Sequence, residues 1–348
     1  MIILGIETSC DETAVAVIKV DRGNFKILSN VVSSQIAIHA KFGGIVPEVA
    51  ARNHLKNMLP VLNQALIKAK VNQKKIDYIA VTNKPGLITS LLVGTETAKV
   101  LSYVWKKPLI TVNHLKAHIY ANWLPSGVGG APASHRNDRA EAPDLPIKFP
   151  SIGLIVSGGH TELIYMKDKF SFKNIGQTLD DAAGEAFDKV AKILNLGYPG
   201  GPVISKMATK GKPDAFDFPR GMINSKDFNF SFSGIKTSVL YKVRGLKKLS
   251  VKQKTGIAAS FEKAVVDVLV KKTIDAATKY KVKTILLGGG VTANKLLRNE
   301  MKKNVNVDLL IPSFNLCTDN AAIIAAAAYF KILKKDFTPW SEVKVEPN

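Results

Sequence analysis

Gly5-Ile6-Glu7-Thr8-Ser9-Cys10-Asp11-Glu12-Thr13 joins two short, apolar, β-branched runs at residues 2–6 and 14–20. Apolar run, polar turn, apolar run predicts a β-hairpin with a functional loop at its tip. The plan returns later, where residues 151–157 and 162–166 flank Gly158-Gly159-His160-Thr161. After the first hairpin, periodicity predicts a helix near 52–69, a strand at 78–82, a helix from about 87 to 105, a strand at 109–112 and a helix from His114. After the second it predicts helices over 180–194 and roughly 251–280, a strand at 284–287, a glycine turn and another helix. The repeated order implies two α/β lobes of similar design, each with a sheet and flanking helices.

The expected boundaries follow from the same reading. Residues 1–124 form the first lobe and 151–320 the second, while a C-terminal helix over 321–348 packs back on the first. Between the lobes, residues 125–150 are rich in Gly, Pro, Ala and charge, and are expected to be a flexible insertion.

At 348 residues and 46% hydrophobic content, the chain is long enough for two lobes that each bury a core. Cys10 and Cys317 are too few for a disulfide framework, which favours a reducing compartment. The opening residues enter an apolar strand without a basic leader, and the longest apolar run, near 321–330, is about half of what a bilayer span needs. A cytoplasmic protein without a membrane partner is therefore expected. Lys and Arg outnumber Asp and Glu by 49 to 28, giving a net charge of +21. A polyanion is a suitable partner, although lysines at helical spacing also serve simply to solvate helices.

Several motifs carry chemistry. Glycines and hydroxyls in the two hairpin turns let backbone N–H groups face a phosphate chain, one turn per lobe. Gly288-Gly289-Gly290 follows a predicted strand and precedes a helix, an arrangement that admits a nucleoside, with Asn294 placed to read it through its amide. His114 and His118 are four apart on a predicted helix, so both rings lie on one face at chelating distance. Asp319, at the start of the last helix, is the natural third ligand; its alternative role is to cap that helix. Two histidines and a carboxylate suit iron(II), with zinc as the alternative. Asp181, Glu185 and Asp188 are predicted along one helical face, either solvated or holding a ribose diol, and Tyr198-Pro199-Gly200-Gly201 reads as a tight turn. In the first turn, Asp11 and Glu12 could order water, a metal or an attacking amine, or could cap the turn.

In order along the chain, GIETSCDET from Gly5, HAKFGGIVPEVAARNH from His39, HLKAH from His114, VSGGHTELI from Val156, DDAAGEAFDKVAKIL from Asp180, YPGGP from Tyr198, FSFSGIKT from Phe230, GGGVTAN from Gly288 and CTDN from Cys317 resemble the TsaD family. The resemblance covers almost the whole chain. It implies the two-lobed actin-like ATPase fold shared with sugar kinases and chaperone ATPases. It also implies transfer of a threonylcarbamoyl group from threonylcarbamoyl-AMP to the N6 amine of adenosine 37, beside the anticodon of tRNAs reading ANN codons, to form t6A and AMP. By the same resemblance His114, His118 and Asp319 hold one divalent metal. Ile155, Val156, Ser157, Gly158, Gly159, Asp188, Gly201 and Asn294 bind the adenylate or ATP, and Asp11 and Glu12 belong to the catalytic loop. The implied partners are tRNA, a TsaB-like paralogue and a TsaE-like ATPase. The chain departs from the family pattern at Lys84, where glycine is usual, and at Ser205, often an acid.

Other activities fit less well. HLKAH lacks the glutamate base of an HExxH metallopeptidase. A sugar-kinase-like phosphotransferase needs no histidine pair, and a non-catalytic nucleotide-binding scaffold needs neither metal nor acids.

Overall fold

The computed structural model describes residues 1–125, 147–246 and 249–347. Their contacts divide into two compact units: residues 1–125 with 312–347, and residues 147–246 with 249–311. Most of the insertion expected at 125–150 lies outside the described residues.

The first unit begins with β1 (Ile2–Glu7), β2 (Glu12–Asp21) and β3 (Asn24–Ser34), followed by the single turn α1 (Ile36–His39), α2 (Pro47–Ala69), β4 (Tyr78–Lys84), α3 (Ile88–Trp105), β5 (Leu109–Asn113) and α4 (His114–Tyr120). The strands form one sheet in the order β3-β2-β1-β4-β5. β1 pairs antiparallel with β2 and parallel with β4, which makes it the central strand. Its apolar run is buried on both faces, as a strand covered by helices on each side requires. Leu4 and Ile6 join Met58, Val61, Leu62 and Ala65 of α2 and Ala98 of α3 in the core.

The second unit contains β6 (Ser151–Val156), β7 (Thr161–Met166), β8 (Lys173–Gln177), α5 (Ala183–Ile193), α6 (Gly200–Ala208), α7 (Ser233–Arg244), α8 (Val251–Lys279), β9 (Thr284–Gly288), a 3-10 turn (Gly290–Ala293), α9 (Lys295–Asn304) and β10 (Asp308–Leu310). Its sheet order, β10-β9-β6-β7-β8, repeats the first with the same pairing: β6 is antiparallel to β7 and parallel to β9. The structure is thus a duplicated mixed sheet with flanking helices.

The chain then supplies α10 (Phe314–Cys317) and α11 (Ala321–Leu333) to the first unit. It rejoins that unit at Pro312, ahead of the expected residue 321, because Asp319 is tied to His118 of α4. The alanine-rich α11 packs closely on the sheet: a Cβ at Gly5 would collide with the Ala321 carbonyl and lie 3.1 Å from the Ala325 Cβ. Alternation along β1 therefore sends Gly5 toward α11 and its neighbours Leu4 and Ile6 toward α2 and α3. The helix expected over 321–348 ends at Leu333, where the chain turns through a left-handed Lys335. The tail stacks Phe337 on Tyr78, sets Trp340 against Tyr103, and pairs Glu346 with Lys84 at 2.5 Å.

Some local expectations shift. α2 starts at Pro47, not near residue 52, because proline at the first helical position leaves no donor orphaned. Gly200-Gly201 opens α6 instead of a free-standing turn.

Candidate metal centre and nucleotide-binding turns

His114 is the first residue of α4, whose N-cap Asn113 accepts from the Lys116 N–H at 3.0 Å. One helical turn on, His118 presents its Nε2 3.2 Å from the His114 Nε2. The Asp319 Oδ1 lies 3.4 Å from the His114 Nε2 and 3.2 Å from the His118 Nε2. Asp319 is free to do this because the cap of α11 is Asn320, whose Oδ1 accepts from Ala322 N at 3.1 Å and Ile323 N at 3.3 Å. The alternative role foreseen for Asp319 thus belongs to its neighbour.

The ring of His114 is oriented by Glu7, a buried carboxylate at the end of β1. The His114 Nδ1–H donates to Glu7 Oε2 at 2.9 Å, which turns Nε2 toward His118 and Asp319. The Asp319 and Glu7 carboxylates overcome burial to hold the imidazole well above the usual histidine range, so a metal ion displaces the Nε2 proton on binding. Glu7 is itself fixed by the Thr82 hydroxyl at 2.7 Å and the Ser9 N–H at 2.5 Å. Burial pushes its carboxyl up, but His114 outweighs this and holds it below the usual range. Burial lowers His118, favouring the neutral ligand form, while the two histidines overcome burial to keep Asp319 far below an ordinary carboxylic acid.

This donor set fits a divalent ion. Two ligands about 2.1 Å from one ion, at roughly 100° to each other, stand about 3.2 Å apart, the spacing of the two Nε2 atoms. Among the described residues, His114, His118 and Asp319 are the His, Cys, Asp or Glu group whose donor atoms converge in this way. Cys317 turns its Sγ to the carbonyls of Pro312 and Ser313, away from any ligand role.

Asp11 and Glu12 belong to the same unit, in the β1–β2 turn and at the start of β2. The turn is held from three sides. His54 of α2 donates from Nε2 to the Cys10 carbonyl at 3.0 Å and accepts the Thr13 hydroxyl at Nδ1, 2.8 Å away. Leu87 N donates to the Ser9 carbonyl at 2.8 Å, and Thr8 donates to the Ser90 carbonyl at 2.8 Å. The turn hydroxyl of Thr8 is therefore already used, and the turn carries two buried acids, Asp11 and Glu12. Glu12 is pushed up to about 10, by burial first and then by the Asp319 and Asp11 carboxylates.

The second unit's hairpin turn is built differently. Ile155 and Val156 bury their side chains, so only their backbone can serve a ligand. Ser157 accepts from His160 N at 3.1 Å, closing the turn, while Gly158 and Gly159 face open space where a Cβ would be. Gly289, with φ +94°, packs its backbone against the Val156 carbonyl where no Cβ could fit. That glycine serves strand packing, and the packing brings the two glycine turns together. Asn294 caps α9 through Oδ1, which accepts from Leu297 N at 2.9 Å. Its amide lies 2.9 Å from the Ser205 hydroxyl and 2.6 Å from Glu262 Oε1. Asp188 accepts from Gly200 N at 2.6 Å and so fixes the start of α6 beside Gly201. Asp181 precedes α5 instead of lying on it; Lys189 binds both Asp181 and Glu185, and Lys236 also pairs with Asp181, so these two acids form a structural ion-pair network.

His54 and Glu262 are additions that sequence reasoning missed, as is the bond from Glu7, an acid of the first loop, to His114. Glu7 ends an otherwise apolar strand, and Glu262 interrupts the apolar face of α8; each was a readable anomaly, since charges are rarely buried unpaired.

A family model described as TsaD: tRNA N6-adenosine threonylcarbamoyltransferase matches residues 26–326. The chain is 53% identical over 332 residues to the tRNA N6-adenosine threonylcarbamoyltransferase of Thermosipho melanesiensis, covering 94% of each. To the protein of that name in Syntrophomonas wolfei it is 49% identical over 343 residues, covering 98% of this chain and 95% of that one. Among solved structures, HypF of T. kodakarensis superposes with a TM-score of 0.60 at 15% identity, covering 98% of this chain and 49% of that one. Component A of the Acidaminococcus fermentans (R)-2-hydroxyglutaryl-CoA dehydratase gives 0.52 at 15% identity, covering 96% and 99%. At such identities these two establish the fold alone, the actin-like ATPase architecture. With the family model spanning most of the sequence and relatives near half identity over nearly its full length, the chain belongs to the TsaD family of tRNA N6-adenosine threonylcarbamoyltransferases.

Proposed function

We propose that this chain transfers the threonylcarbamoyl group of threonylcarbamoyl-AMP to the N6 amine of adenosine 37 in tRNAs reading ANN codons. The new bond joins N6 to the carbamoyl carbon, the bond from that carbon to the phosphate oxygen breaks, AMP leaves, and one amine proton is released. The observation that carries this reading is the convergence of His114, His118 and Asp319 under the control of Glu7. A sugar-kinase-like phosphotransferase has no use for it.

His114, His118 and Asp319 hold one divalent cation, iron(II) by the two-imidazole, one-carboxylate donor set, with zinc served by the same atoms. When bound, the ion supplies Lewis acidity toward a carbonyl or phosphate oxygen. The second unit holds the adenylate: the backbone of Ile155–Gly159 faces its phosphate, and Asp188, Gly201 and Asn294 frame the nucleoside. Asp11 and Glu12, the two buried acids of the first turn, orient the amine and take up its proton.

The net charge of +21 suits tRNA. α2 and α3 leave Leu55, Leu59, Ile67, Val100, Tyr103 and Val104 exposed, an apolar surface that fits a TsaB-like paralogue; a TsaE-like ATPase completes the set. Among the described residues no helix is long and apolar enough to cross a membrane. A cytoplasmic setting follows from the tRNA substrate.

The test is incubation of the metal-loaded protein and its partners with unmodified tRNA and threonylcarbamoyl-AMP, followed by mass spectrometry of the nucleosides. The expected product is t6A with stoichiometric AMP. Its absence under those conditions overturns the proposal.

A further inference from the structure

Glu262 is the buried carboxylate of α8, 7% exposed on a face made mostly of Ala, Val, Leu, Ile and Phe. Its Oε1 is held by the Ser205 hydroxyl of α6 at 2.5 Å and the Asn294 amide at 2.6 Å, while that amide and hydroxyl lie 2.9 Å apart. These three atoms make a nearly equilateral triangle, so the two acceptors subtend roughly 60° at the amide nitrogen, whereas its two N–H bonds diverge by about 120°. One N–H of Asn294 therefore serves the triangle and the other stays available. The second carboxylate oxygen, Oε2, has no hydrogen-bond partner among the described residues and is not sealed from solvent. The cluster thus offers an incoming molecule one strong acceptor beside one donor, both held rigidly by three helices.

We infer that Glu262 Oε2 accepts a hydrogen bond from the vicinal diol of the adenylate ribose, with the free Asn294 N–H donating to the neighbouring hydroxyl oxygen. A carboxylate only accepts, and a ribose diol offers two O–H donors; the same pairing recurs where an acidic side chain grips a nucleotide ribose. Position supports the diol. Asn294 follows Gly289 by one 3-10 turn, and Gly289 packs its backbone on Val156, within the stretch that faces the phosphate in the adenylate reading. Leaving a buried acceptor unmatched is costly, so an analogue lacking the hydroxyl is rejected. This inference rests on the adenylate reading given above.

The experiment compares equilibrium binding of AMP, 2′-deoxy-AMP, 3′-deoxy-AMP and IMP to the full-length wild type and to Glu262→Gln, which keeps the shape and the Oε1 acceptor. Thermal melts of both proteins check folding, and ratios between ligands are read so that a general loss of affinity does not count. Wild type is expected to prefer AMP over at least one deoxy analogue by roughly 10- to 100-fold, and Glu262→Gln to lose that preference. A variant that retains the wild-type ratio overturns the assignment. So does one that keeps the deoxy ratio and loses only the preference for AMP over IMP, since Glu262 would then read the base amine. If wild type binds none of the nucleotides, the adenylate reading itself fails.

Discussion

Glu7 accepts a hydrogen bond from the His114 Nδ1 and so turns the other ring nitrogen toward His118 and Asp319, the orientation that the proposed metal site needs. Glu7→Gln keeps the shape but weakens the orienting bond, so metal affinity should fall about 10- to 100-fold in chelator competition; an unchanged affinity contradicts the role. Glu12 gives a test with a definite sign. Its carboxyl holds a proton to about 10 in the fold, against an ordinary 4.5 in the unfolded chain. Between those values the unfolded state binds fewer protons, so rising pH favours unfolding, and the cost of burying Glu12 grows from about pH 4.5 until it levels off near 10. Glutamine cannot titrate. In metal-free protein, the rise in melting temperature from Glu12→Gln should be larger at about pH 8 than at about pH 5; equal shifts contradict the placement. The spacing of His114 and His118 made the metal pair legible in sequence. The Asn320 cap, the orienting hydrogen bond to Glu7 and the clamp of His54 were not, because each depends on residues brought together from distant segments.

At the scale of elements, close packing places the ligands. Gly5 lets α11 press onto β1, and Asp319 sits just ahead of that helix. Gly5→Ala should cost about 1–3 kcal/mol in denaturant unfolding, by overpacking, and should also lower metal affinity because Asp319 moves with the helix. Retained stability and affinity would place the control of Asp319 elsewhere. The central strands and long helices were readable because apolar runs and helical periodicity are strong there. β3, β8 and β10 were missed: they are edge strands, half polar or only 3 residues long in the case of β10, and edges do not need an apolar run. Gly288–Gly290 was read as a ligand turn, yet Gly289 answers to the Val156 carbonyl. Glycine marks close approach in sequence without saying to what.

Across the whole molecule, the duplicated sheet gives each unit a hairpin turn: one carries the buried acids Asp11 and Glu12 in the unit that holds His114, His118 and Asp319, and the other carries Gly158 and Gly159 with open space where a Cβ would be. The repeat was legible in the two hairpin segments; the different fates of the turns were not, since they depend on burial of Asp11 and Glu12. A net charge of +21 predicts that tRNA affinity falls steeply between about 50 and about 200 mM salt, with a linear log–log slope in a filter-binding or fluorescence titration; a flat response removes phosphate contacts as the source of affinity. The most direct test of the account joins metal to chemistry: measure metal content and t6A formation together for wild type, His118→Ala and Asp319→Ala, with partners, tRNA and threonylcarbamoyl-AMP supplied. The account predicts one equivalent of metal and product for wild type, and loss of both in each variant. A folded, metal-free His118→Ala protein that forms t6A at the wild-type rate would contradict it.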